Sequence, residues 1–185
     1  VDADGTGVSL IQSNAGGFGS GIFEPSTGIG LQNRGIGFSL TPGHPAEYAP
    51  GRRPPHTLAP AVVTYPDGRL RMVLGTMGGD AQPQILLQIL LRMLRHGASP
   101  GEAIAAPRWR VASTHGFDTW TRHGASVVDL EAGTPAAWDG LASRGHDVTR
   151  ADAVFGHAHL VEIDGDGMRC GAADARAEVG GVCGR

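Results

Sequence analysis

From Gln84 to Arg95 every residue is apolar except Gln84, Gln88, Arg92 and Arg95. Those four recur at helical spacing on one narrow stripe, so the pattern predicts a helix with most of its circumference buried. Asp80 stands where a cap belongs, Pro83 suits the first turn, and Gly97 follows Arg95 and His96 as a stop. Such a helix needs a sheet on one side and more protein on the other. An open surface is excluded.

The remaining sequence reads as strands and turns placed around that helix. Val1-Asp2-Ala3-Asp4-Gly5 reads as the end of a strand entering a tight turn, and Val8 to Ser13 as the hairpin's second strand. A first strand that short points to residues upstream. Residues 14–38 carry eight glycines between Gly16 and Gly37 and read as short strands joined by turns. Residues 41–55 hold five of the twelve prolines and read as a surface loop. A hairpin follows, 61–65 and 70–75 around Pro66-Asp67-Gly68. Ser99-Pro100-Gly101-Glu102 is a capping box opening a second helix. A third helix runs from Thr134-Pro135 to Gly145, and further strands are predicted at 109–112, 146–149, 159–163 and 168–170, the last two around Gly165-Asp166-Gly167. Strands, then helices, then strands argue for an α+β fold.

Length and composition narrow the function classes. The 185 residues predict one domain, and 41% hydrophobic content supplies a core. Thirty glycines and twelve prolines fall just short of a low-complexity composition. A net charge of −3 argues against a nucleic-acid face. The longest apolar run is broken by Gln88 and Arg92, so no membrane span is expected. All fifteen basic residues are Arg, a usage typical of GC-rich bacterial genes. No targeting segment is visible, and the cytoplasm is favoured over secretion. Cys170 and Cys183 are too few for a disulfide scaffold and are read as free thiols. His157 and His159 lie on one side of a strand with no third ligand placed, so no metal site is assigned. His44 and His96 read as loop and helix-end residues, and Trp109, Trp120 and Trp138 as packing residues.

Gly75-Thr76-Met77-Gly78-Gly79-Asp80 joins a buried strand to the strongest helix. Two successive glycines at a helix N-terminus can aim free amides at an oxyanion or phosphate. The same pair also serves a plain strand-to-helix turn, and both readings stand on spacing alone. No P-loop Lys accompanies it, which argues against nucleotide binding.

Several segments together resemble the small subunit of the gamma-glutamyltransferase family of N-terminal-nucleophile hydrolases. They are Val1-Asp2-Ala3-Asp4-Gly5 through Val8-Ser9, Phe18-Gly19-Ser20-Gly21 and Gly28-Ile29-Gly30-Leu31-Gln32-Asn33. Arg53-Pro54-Pro55-His56-Thr57-Leu58-Ala59-Pro60, Gly78-Gly79, Ala106-Pro107-Arg108 and Asp174-Ala175-Arg176 continue the match, which covers nearly the whole chain. The resemblance implies a four-layer αββα sandwich, with this chain supplying about half and a large subunit from the same precursor completing it. The chain is therefore expected not to be stable alone. It implies a self-cleaving precursor whose nucleophilic Thr, with its α-amine as base, lies about five residues before Val1. Thr6, in the hairpin turn, is no substitute.

By the same resemblance Gly78 and Gly79 form the oxyanion hole, and Ser13 falls where a Thr hydroxyl hydrogen-bonds the nucleophile. Asn33, Arg34, His56 and Thr57 fall in the substrate site. The glutamyl-recognition set is largely dismantled. Arg34 and Gly37 stand where Gln and Asp hold an α-amino group, His56-Thr57 replace a Ser-Ser pair, and Ala15 replaces an Asn. An ammonium beside Arg34 would be repelled, whereas a carboxylate would fit its planar fork. Asp174 and Arg176 read as a local ion pair closing the C-terminal loop. The implied activity is amide hydrolysis or acyl transfer through an acyl-enzyme on a small non-gamma-glutamyl substrate, with no metal or organic cofactor. Alternatives are an authentic gamma-glutamyl enzyme, a C–C bond hydrolase of bacterial secondary metabolism, or an inactive structural subunit.

Overall fold

The computed structural model describes residues 1–112 and 127–184, which fall into two units. Trp120 lies outside the described residues. The smaller unit, Gln12–Leu58, is mostly turns. Its two short strands, β1 (Phe23–Glu24) and β2 (Ile29–Gly30), pair antiparallel, and a 3-10 turn spans Arg34–Gly37. The proline-rich stretch 41–55 forms no helix or strand.

The larger unit, Val1–Ile11 with Ala59–Arg185, carries the core. Alternating burial along Ala61–Thr64 makes β3, and Leu70–Thr76 makes β4, antiparallel around the turn at 65–69. α1 (Gln82–His96) follows and ends at Gly97, whose φ of 69° is the left-handed stop that glycine permits. α2 is Pro100–Ala105, β5 Trp109–Ala112 and β6 Val127–Leu130. β7 is Asp147–Arg150, β8 Ala158–Ile163 and β9 Arg169–Ala173. One sheet has the order β3-β4-β8-β9 and another β5-β6-β7. Met72 and Leu74 of β4, Leu160 of β8 and Ala172 of β9 pack on Ile85, Ile89 and Met93 of α1 and on Ile104 of α2.

The α1 stripe is used in the opposite sense to the one expected. Gln84, Gln88 and Arg92 on its polar side are covered, Arg95 is exposed, and part of its apolar side is open. The Gln88 amide bonds both the N–H and the C=O of Trp109 (3.0 and 2.8 Å), and Gln84 bonds both groups of Val111 (2.7 and 3.2 Å). Arg92 donates to the carbonyl of Pro107 at 2.6 Å. A glutamine amide carries both N–H donors and an acceptor oxygen, so the two together substitute for a neighbouring strand along the edge of β5 away from β6. Leu87, Leu91 and Leu94 are left 51%, 45% and 44% exposed.

Other expectations are corrected. The cap position of α1 is Ala81, not Asp80, which lies in a 3-10 turn over Gly79–Ala81. The first turn forms, with Asp2 N–H donating to Thr6 C=O at 3.0 Å, but residues 8–13 make no strand. Both edges of β4 are taken by β3 and β8, so this segment lies beside β4 and touches it through side chains: Ser9 donates to Leu74 C=O at 2.8 Å and Ile11 packs on Gly75. The third helix is a 3-10 helix, Ala136–Arg144, none of whose residues is buried. No packed apolar face is there to favour the α form. β6 was not predicted. It pairs antiparallel with β5 and parallel with β7.

The Ser99 capping box forms as the sequence reads. Ser99 Oγ accepts from Glu102 N–H at 3.3 Å, and Ser99 N–H donates to Glu102 Oε2 at 2.9 Å. Ser99→Ala is expected to cost about 1 kcal/mol, read as a lower urea midpoint with an unchanged slope.

Candidate active site

The turn after β4 holds the glycine pair. Gly78 has φ 141° and Gly79 φ 56°, both in the region that favours glycine. Ala81 N–H donates back to Gly78 C=O at 3.1 Å, which winds the chain into the 3-10 turn and α1. Among the described residues no backbone or side-chain acceptor takes the N–H of Gly78 or Gly79. Both residues are partly exposed. The turn thus carries two amides beside the positive end of a fifteen-residue helix.

Behind the turn lies residues 155–158. Met77 N–H donates to His157 C=O at 3.3 Å, and a Cβ at Gly78 would stand 3.6 Å from Gly156 Cα. Gly156 has φ 70°, and a Cβ there would stand 2.5 Å from Met77 O and 2.7 Å from Thr76 Oγ1.

Of the residues that hold this segment, sequence reasoning assigns Asp174 only a local ion pair with Arg176, and assigns Arg108 and Glu131 no separate role. Arg108 is fully buried, and its guanidinium donates to Phe155 C=O (2.6 Å), Gly156 C=O (3.3 Å), Ile104 C=O (3.0 Å) and Asp174 Oδ2 (2.6 Å). Asp174 Oδ2 also accepts Ala158 N–H at 2.9 Å. Glu131 accepts the N–H groups of Phe155 and Arg108, each at 2.9 Å, and the guanidinium of Arg176 at 2.6 Å. The predicted Asp174–Arg176 pair exists at 3.0 Å, as one corner of a cluster of two cations and two carboxylates. The available signal was the pair of segments 106–108 and 174–176, each of which contains one of these arginines.

Burial pushes both carboxyls of the cluster up, but the hydrogen bonds they accept win. Glu131 is held below the ordinary carboxylate range by Arg176 and the Phe155 amide, and Asp174 by the amides of Ala158 and Arg176 and by Arg108. Burial pulls the Arg108 guanidinium down, and Asp174 opposes that shift.

In the smaller unit the structure brings Ser13, Arg34 and Thr57 together. Arg34 Nη2 donates to Ser13 Oγ at 3.0 Å and Nη1 to Thr57 Oγ1 at 3.3 Å. Ser13 Oγ also accepts Ala15 N–H at 3.0 Å, which leaves its hydroxyl proton to donate. Ala15 has φ 76°, a conformation Asn adopts more readily than Ala. No carboxylate among the described residues forms an ion pair with the half-buried Arg34. Asn33 is turned away from this group. Its amide closes the 16–19 loop, accepting from Gly16 N–H at 2.9 Å and donating to the carbonyls of Gly16 and Gly19 at 3.3 and 3.0 Å. His56 is exposed and its Nδ1 accepts Leu58 N–H at 3.2 Å. Cys170 and Cys183 are free and exposed. Among the described residues no three of His, Cys, Asp and Glu are grouped to hold a metal ion, and no helix is long and apolar enough to cross a membrane.

Residues 1–183 match the family described as Gamma-glutamyltranspeptidase. The chain belongs to this family. It is 41% identical over 180 residues to the oxamate amidohydrolase proenzyme of Klebsiella pneumoniae, covering 96% of this chain and 33% of that protein. This gamma-glutamyltranspeptidase-family chain therefore spans about a third of the curated relatives it matches. Among solved structures, the Pseudomonas nitroreducens gamma-glutamyltranspeptidase complexed with L-DON superposes with a TM-score of 0.81 at 24% identity, over 100% of this chain and 97% of that one. The cephalosporin acylase of Bacillus halodurans gives 0.78 at 35% identity, over 91% and 30%. The α+β N-terminal-nucleophile hydrolase fold expected from the sequence is the fold of these neighbours.

Proposed function

We propose that this chain is the small subunit of an amidohydrolase that cleaves small amides bearing a carboxylate on the acyl part, through an acyl-enzyme. The observation that carries this reading is Arg34, a guanidinium oriented by two hydroxyls and paired with no carboxylate among the described residues. A planar fork held in place favours a carboxylate and disfavours the ammonium of a gamma-glutamyl group. The name of the Klebsiella relative supports the same substrate class, because oxamate carries a carboxylate next to its amide.

In this reading the hydroxyl of a Thr ahead of Val1 attacks the amide carbonyl carbon, and its proton passes to the Thr α-amine. The amides of Gly78 and Gly79 bond the resulting oxyanion. The C–N bond breaks as the amine leaves with that proton, and water then releases the acid from the ester. Ser13 offers a hydrogen bond from its hydroxyl to the nucleophile's oxygen and keeps its proton, and Thr57 fixes Arg34. The single domain is completed by a large subunit from the same precursor. The open Leu87, Leu91 and Leu94 row on α1 supports such a covering partner.

The test uses the full-length, self-processed protein. Oxamate and related carboxylate-bearing amides are expected to be turned over in preference to gamma-glutamyl anilides and to simple N-acyl amides. Arg34→Met is expected to raise KM for the carboxylate substrates at least tenfold. Efficient turnover of the gamma-glutamyl anilide, or an unchanged KM in Arg34→Met, would overturn the substrate assignment. No turnover of any of these amides by a processed protein would favour an inactive subunit or C–C bond chemistry.

A further inference from the structure

We infer that Arg108, with Asp174 and Glu131, is a positioning device for the Gly78-Gly79 amides, acting through the backbone of residues 155–158. The inference rests on the oxyanion reading above and adds how that site is held in register.

Four backbone groups of this short segment are gripped by ionised side chains. Glu131 takes Phe155 N–H, Arg108 takes the carbonyls of Phe155 and Gly156, and Asp174 takes Ala158 N–H. The segment in turn touches the catalytic turn at three places. His157 C=O accepts Met77 N–H, Gly156 Cα faces Gly78, and Gly156 leaves no room for a Cβ against Thr76 and Met77. Buried ion clusters are weak evidence for stability, because desolvation offsets most of the attraction. What this one does geometrically is fix a loop from behind. Two amides that must meet a developing charge lose effect when displaced by a fraction of an ångström, and the loop behind them is the element that limits such displacement.

Arg108→Lys keeps the charge but cannot hold two carbonyls and Asp174 in one plane. In the processed full-length enzyme it is expected to lower kcat at least tenfold, with KM changed less than twofold. Gly156→Ala, which presses on Met77 and Thr76 from the same side, is expected to show the same split. Met93→Ala, a buried α1 position away from the turn, serves as the control: a lower melting temperature with kcat retained. If Arg108→Lys does not fold, Asp174→Asn replaces it, with the same expected loss. The inference is overturned if the cluster variants and Gly156→Ala keep kcat, or if kcat falls in Met93→Ala as far as in them. Gly78→Ala separates the two ideas. If it alone loses kcat, the oxyanion reading stands without the positioning device. If it too keeps kcat, the oxyanion reading fails.

Discussion

Gly78→Ala in the full-length precursor is expected to lower kcat about 100- to 1,000-fold, the usual loss for one oxyanion-hole donor. Two physical effects combine. At φ 141° an alanine is strained, and its methyl would stand 3.2 Å from Ile85 Cδ1 and 3.6 Å from Gly156 Cα. The Gly156 contact is ordinary van der Waals distance, while the 3.2 Å approach asks Ile85, fully buried in the core, to give by a few tenths of an ångström. The strained φ is the larger effect, and relaxing it moves the amides away from the carbonyl they would stabilise. Gly68→Ala isolates the strain from the chemistry, because Gly68 has φ 87° and open space around it in the β3–β4 turn. That variant is expected to lose some stability and no activity. Steady-state kinetics on a preferred amide read the difference, and a Gly78→Ala enzyme with near-normal kcat would show that the amides serve only the turn.

The features legible in the sequence were those set by local chemistry. The Ser99 box, the Gly97 stop and the 66–68 turn each need only a few neighbouring residues, and each forms where the residues place it. The glycine pair was legible as a turn, and its assignment to an oxyanion came from the resemblance. What could not be read depended on partners far along the chain. Gln84 and Gln88 read only as part of a narrow polar stripe, because nothing in their own segment shows that the edge of β5, some twenty residues on, needs donors and acceptors. Arg108 and Glu131 show no role in their own segments for the same reason. Their partners lie at Phe155, Asp174 and Arg176, and only the folded topology brings opposite charges to one buried point. β6 escaped because a four-residue strand containing an aspartate has too little pattern to announce itself.

Glu131→Ala is expected to destabilise the processed protein by about 3–5 kcal/mol at neutral pH, the cost of breaking a buried ion pair from one side. The loss leaves the Arg176 guanidinium short of its main partner and the amides of Phe155 and Arg108 without acceptors. The same cluster gives a direction in pH. Glu131 and Asp174 are both held below the ordinary carboxylate range in the folded state. Their contribution is therefore fully present above the unfolded values near pH 4 and is lost as pH falls through the lower, folded values. Urea midpoints followed from pH 7 into acid should fall more steeply below about pH 4 in the wild type than in Glu131→Ala, which keeps only the Asp174 contribution. Parallel acid profiles, or a neutral-pH loss below about 1 kcal/mol, would place Glu131 among exposed surface charges and contradict the burial and hydrogen bonding on which the cluster's role depends.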